Sequence, residues 1–182
     1  MTNRPVWLAA RTQSVDETRS LAASLAGIAA AGDLMLLAGE LGAGKTAFVQ
    51  GFGGALGVTE PITSPTFALA QRYDGDLVVH HLDVYRLDQL HEVIDLGIGE
   101  LLDEGVVVIE WGDAVAAALP PDYLEIGLRF GSDPDERIVT LRPLGPRWAA
   151  RADALAAAVA PWAKAGPDPD GPVGPGAGTG GR

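Results

Sequence analysis

The stretch Gly39-Glu40-Leu41-Gly42-Ala43-Gly44-Lys45-Thr46 follows the pattern G-x-x-x-x-G-K-T. Those residue types at that spacing can hold a polyphosphate. Glycines let the backbone curl until successive N–H groups face one anion. A helix opening near Lys45 adds the positive end of its dipole. Lys45 can reach β- and γ-phosphates, and the Thr46 hydroxyl can ligate magnesium. The chain uses arginine almost everywhere it needs a cation: its two lysines, Lys45 and Lys164, stand against eleven arginines. A lysine kept inside a glycine-rich turn suggests a need for a compact ammonium.

Magnesium takes oxygen ligands and usually keeps several waters, so such a loop wants a carboxylate from a neighbouring strand end. Two apolar segments end in an acid: DLVVHHLD at Asp83 and VVVIE at Glu110. Taken singly, each acid could equally cap a helix or face solvent. A phosphate loop on the same sheet favours the metal or water-handling role, because parallel strands deliver their C-terminal ends to one crevice. His80, His81 and Asp83 also invite a transition-metal reading. On a strand only His81 and Asp83 share a face, which leaves too few ligands.

The elements that must position these groups can be read from periodicity. Val6–Ala10 reads as a first strand. Ser14 and Glu17 form a capping box before a helix on which Leu21, Leu25 and Ile28 recur. LMLLA (34–38) is a buried strand leading into the glycine-rich turn, and a helix runs from about Lys45 to Leu56, ended by Gly57. Gly53 and Gly54 weaken that helix by up to about 1 kcal/mol each. FALAQRY and DLVVHHLD read as a hairpin about Asp74-Gly75, and 88–104 as short helices. DYLEIGLRF and ERIVTLRP form a second hairpin across GSDP. Trp148, Leu155, Val159 and Trp162 lie on one face of a last helix, with the two tryptophans in the core.

Composition sets outer bounds. The chain has 182 residues, 47% hydrophobic, no cysteine and a net charge of -11. One globular domain over 1–164 is expected, without disulfides, cysteine-bound zinc or thiol chemistry. No segment has the length of a membrane span or the core of a signal peptide, so the cytoplasm is the expected location. An acidic body is a poor direct ligand for nucleic acid. Residues 165–182 contain eleven glycines and prolines and are expected to be a disordered tail.

GELGAGKTAF, TSPTF, HHLDVYRL and EWG, in this order and at these distances, resemble the TsaE family, also called YjeE. These are bacterial P-loop ATPases of tRNA threonylcarbamoyladenosine biosynthesis. The resemblance runs from about Val6 to Val159. It implies an α/β P-loop NTPase fold, a mixed β-sheet flanked by helices with antiparallel hairpins. It also implies ATP on Gly39 to Thr46, with Lys45, Asp83 and Glu110 catalytic, Mg2+ on Thr46 and Glu110, and Asp83 acting on the attacking water. Ser64, Pro65 and Thr66 match a nucleotide-sensing switch, and Tyr85, Arg86 and Trp111 match residues facing the switch or a partner. Residues around Gln13 to Thr18 would lie near the adenine. The family works with TsaD and TsaB, so that tRNA is met through partners.

Without the resemblance, Ser64-Pro65-Thr66 reads as a turn, Trp111 as core or partner border, and Arg86 as a surface ion pair or a phosphate contact. Two other functions share the phosphate loop. A small-molecule kinase needs an arginine-rich lid, and only Arg72 and Arg86 lie between the loop and Glu110. An ATP-sensing binding module would have no use for both Asp83 and Glu110.

Overall fold

The computed structural model describes residues 8–65, 68–84, 96–111 and 116–163. Seven strands form one sheet: β1 (Leu8–Thr12), β2 (Leu34–Ala38), β3 (Ala70–Tyr73), β4 (Val78–Asp83), β5 (Gly105–Glu110), β6 (Tyr123–Phe130) and β7 (Arg137–Leu144). Their order is β1-β7-β6-β2-β5-β4-β3. The central run β6-β2-β5-β4 is parallel. β3 closes one edge as a hairpin with β4, while β7 and β1 extend the other edge antiparallel. The helices are α1 (Val15–Ala26), α2 (Lys45–Ala55), α3 (Ile98–Glu104), the single turn α4 (Pro146–Ala149) and α5 (Ala152–Val159).

β2 and β5 are apolar throughout because the sheet is covered on both faces. Met35, Leu37, Val106 and Val108 pack with α1, α2 and α5 on one face. Leu34, Leu36, Val107 and Ile109 pack with Ile98 and Leu119 on the other. The C-terminal ends of β2, β4 and β5 lie together at one end of the parallel run.

Ser14 caps α1 by accepting the Glu17 N–H at 3.1 Å, and Glu17 accepts the Gln13 N–H at 2.8 Å. The second bond starts one residue earlier than in the usual capping box. α1 and α2 touch backbone to backbone: a Cβ on Gly51 would sit 2.1 Å from the Arg19 carbonyl oxygen. At Gly53 a Cβ would lie 2.5 Å from Ile62 Cδ1. Gly51 and Gly53 are thus places of close approach, while Gly54 faces open space.

The first strand runs two residues past the end of its apolar segment, since pairing with β7 continues from Leu8↔Leu141 to Thr12↔Arg137. Val6 falls outside the described residues. The last helix is broken into α4, α5 and a 3-10 turn, Ala160–Trp162. Arg151 stands at the first break and reaches Asp33, while Pro161 tightens the final turn. Trp148 is buried and Trp162 packs against the core despite the breaks. Of the expected helices of 88–104, the segment from Leu96 is described and forms the helix Ile98–Glu104, and the tail of 165–182 lies outside the described residues.

Candidate functional site

The glycine-rich loop joins β2 to α2. Gly39 has φ 151°, and a Cβ there would lie 2.4 Å from the Leu128 carbonyl oxygen. Gly44 caps α2 at φ 106°, a conformation that only glycine adopts cheaply. The loop is also fastened from outside. Arg137, on β7, donates to the Ala43 carbonyl at 3.1 Å and stacks on the Phe130 ring at 4.4 Å. Nothing local in the sequence marks Arg137 as a support for a loop 94 residues away.

Lys45 is 5% exposed. Its Nζ donates to the carbonyls of Gly39 at 2.7 Å and Glu40 at 3.0 Å. The same ammonium lies 3.7 Å from the centroid of the Trp111 ring. Trp111 holds a left-handed backbone, φ 62°, and donates its N–H to the Leu37 carbonyl at 2.8 Å. The sharp exit from β5 turns the indole back over the loop, making a cation–π contact. Of the remaining loop residues, Glu40 is exposed, Leu41 is 85% exposed, Gly42 is at the surface and Ala43 is buried.

Asp83 and Glu110 are register partners at the ends of neighbouring parallel strands, each 3% exposed. Glu110 Oε1 accepts the Thr46 hydroxyl at 2.9 Å and lies 2.8 Å from His81 Nε2. Asp83 Oδ2 accepts the Ser64 hydroxyl at 3.0 Å. Leu41, Gly42, Gly44, Lys45, Thr46 and Ala47 line a cavity of about 380 Å³ together with Ser64, Asp83, Glu110 and Trp111. Pro65, next in the chain to Ser64, is buried, its carbonyl accepting the N–H groups of Ala68 and Leu69. Thr66, Tyr85 and Arg86 lie outside the described residues. Gln13 to Thr18 span the N-cap and first turn of α1 and do not line this cavity.

The donor chemistry can be tested against magnesium. A phosphate-bound Mg2+ needs one or two protein oxygens, the rest coming from water and phosphate. The Thr46 hydroxyl and the Glu110 carboxylate, 2.9 Å apart on the cavity wall, are such a pair. Among the described residues no group of three or more His, Cys, Asp or Glu could hold a metal alone. The oxygen set suits a hard cation that shares its ligands with a phosphate.

A parallel core, a glycine loop at the head of a helix and acids at adjacent strand ends define a P-loop protein of mixed α/β architecture, as the sequence led one to expect. Residues 12–139 match the family described as "Threonylcarbamoyl adenosine biosynthesis protein TsaE". The chain belongs to the TsaE family. It is 40% identical over 140 residues to the tRNA threonylcarbamoyladenosine biosynthesis protein TsaE of Bacillus subtilis, covering 76% of this chain and 87% of that one. With the TsaE protein of Streptomyces coelicolor it shares 43% identity over 139 residues, 72% of this chain and 93% of the relative. The crystal structure of Bacillus subtilis YdiB superposes with a TM-score of 0.74 at 34% identity, covering 86% of this chain and 98% of that one.

Proposed function

We propose that this chain binds ATP with Mg2+ on its P-loop and hydrolyses it, as the subunit that supports TsaD and TsaB in placing threonylcarbamoyl on tRNA adenosine. The observation that carries this reading is the convergence of Lys45, Thr46, Asp83 and Glu110 on one cavity. Lys45 and the loop N–H groups bind the phosphates and offset their charge. Thr46 and Glu110 would hold the magnesium ion, which when bound supplies further neutralisation of phosphate charge. Asp83 positions the attacking water. Catalysis of this kind is placement and electrostatics, and each of these groups is held by contacts of its own.

In the same reading Ser64, Pro65 and Thr66 sense the nucleotide, and Tyr85, Arg86 and Trp111 face the switch or a partner. The net charge of -11 supports contact with tRNA through partners. Among the described residues no helix is long and apolar enough to cross a membrane, and the cytoplasm is the compartment expected for work on tRNA. Phosphate release from ATP, measured with and without Mg2+ and with and without TsaB and TsaD, tests the reading. Magnesium-dependent release that responds to the two proteins is expected. No release under any combination would sink it, and transfer to a small acceptor instead of water would favour a kinase.

A further inference from the structure

We infer that His81 is the positioning residue for Glu110, fixing the carboxylate on Thr46 so that the pair is set for a magnesium ion. This rests on the ATPase reading above and adds to it a residue with no role so far. His81 is 0% exposed and absent from the cavity wall, so it touches no bound molecule directly. Its Nε2 lies 2.8 Å from Glu110 Oε1, the oxygen that also accepts the Thr46 hydroxyl.

A carboxylate can only accept, so the hydrogen in this contact belongs to His81 Nε2. His81 Nδ1 is buried and has no hydrogen-bond partner. In the Nε2–H tautomer Nδ1 is a bare acceptor, and no N–H is left buried and unpaired. A ring that spends one nitrogen on a carboxylate and leaves the other idle gains little as core. A leucine there would avoid the idle polar atom. What the imidazole does is hold Glu110.

The need for a holder follows from the register. Asp83 and Glu110 are direct partners on adjacent strands, about 4.8 Å apart along the hydrogen-bonding direction. Two acids so placed repel. His81 stands two residues before Asp83 on the same face of β4, opposite Val108, and reaches diagonally to Glu110. With Thr46 it fixes one oxygen of that carboxylate from two directions. Ser64 bonds Asp83 separately. Each acid thus has its own donors, and the two can keep different tasks. Outer partners of metal ligands typically change metal affinity by about 10- to 100-fold when removed.

The test uses the full chain and the β,γ-imido analogue of ATP, with its dissociation constant measured in excess Mg2+ and in EDTA. In the wild type Mg2+ should tighten binding. His81→Leu should lower that gain by about 10-fold or more and leave the value in EDTA unchanged. His81→Gln, which returns an N–H near the same place, should recover most of the gain. In a Glu110→Gln background, His81→Leu should change nothing further, because His81 acts only through that carboxylate. If His81→Leu loses binding in EDTA as well, His81→Phe, which keeps a flat ring, replaces it. A full Mg2+ effect in the leucine variant would overturn the proposal. So would a glutamine variant no better than leucine, additive effects in the double variant, or loss of EDTA binding in both apolar variants. Failure of Mg2+ to affect the wild type would instead remove the ATPase reading itself, and this proposal with it.

Discussion

Asp33 and Glu110 are both buried carboxylates in the parallel part of the sheet, at its opposite ends. Asp33 precedes β2, and Glu110 ends β5 opposite Leu37, about 13 Å further along. Asp33 is met by a guanidinium fork: Arg151 donates to both oxygens at 2.7 Å, and Arg147 approaches to 3.4 Å. It also accepts the Ala30 N–H at 2.8 Å. Glu110 is met by a hydroxyl and an imidazole N–H. Among the described residues no lysine or arginine comes within ion-pair distance of it. A buried charge needs pairing, so the first carboxylate is finished within the fold, while the donors on the second match the proposed role of holding a magnesium ion. Burial alone would not separate the two; the kind of donor does.

The sharpest way to break the comparison is at the finished end. Arg151→Met removes the fork and leaves Asp33 buried with a weaker partner. A loss of about 3–5 kcal/mol in unfolding free energy is expected. Denaturant unfolding measures it, and nucleotide affinity of the folded variant should not change. A loss below 1 kcal/mol would show that the pair does not fasten α5 to the sheet.

At the open end the expected losses are of function. Lys45→Ala should cut hydrolysis by about 1000-fold and weaken nucleotide binding, with the fold intact, because the phosphates lose their fixed cation. Unchanged turnover would remove the P-loop assignment. Glu110→Gln should lose magnesium affinity and about 100-fold or more in hydrolysis, with unfolding free energy within about 1 kcal/mol of wild type. Asp83→Asn should keep MgATP binding and lose mainly the single-turnover rate. Calorimetric titration of MgATP beside single-turnover hydrolysis reads the two quantities separately. The opposite pattern in the two variants would mean that their roles are exchanged.

How far these contrasts are legible in the sequence depends on distance along the chain. The phosphate loop is complete in eight consecutive residues, and the apolar runs of β2 and β5 announce two covered faces. The acids at the strand ends are visible too. Their pairing is not, since register is decided by neighbours and not by a strand's own residues. The same limit hides the bonds of His81 and Thr46 to Glu110, the reach of Arg137 to the loop, and the fork on Asp33. It explains the extension of the first strand to Thr12 and the split last helix as well: pairing with β7 and the fork of Arg151 on Asp33 are not marked in the local pattern. Trp111 was visible as a residue of interest, but its turn back over Lys45 depends on a left-handed backbone that no motif specifies.

The mildest test compares two adjacent histidines. His81 faces Glu110, while His80 points to the other face of β4, 3.2 Å from Glu104 and near Arg72. Burial pushes the His80 imidazole below its ordinary value of 6.5, and this outweighs the opposing pull of Glu104; Arg72 adds to the lowering. The folded protein therefore favours the neutral ring, and the unfolded chain binds more protons once pH falls below 6.5. Stability from this group is present above that pH and declines as pH falls towards the lowered value, then levels off. Glu136 does not overlap this window. The Ser132 N–H and then Arg11 hold its carboxyl below 4.5, so its share is lost only at more acid pH. Unfolding midpoints of wild type and His80→Gln, compared from pH 7.5 down to 5, isolate the contribution. A shallower decline in the variant is expected. Parallel curves would show that His80 carries no linked proton, and the polar contacts on that face of β4 would then be structural alone.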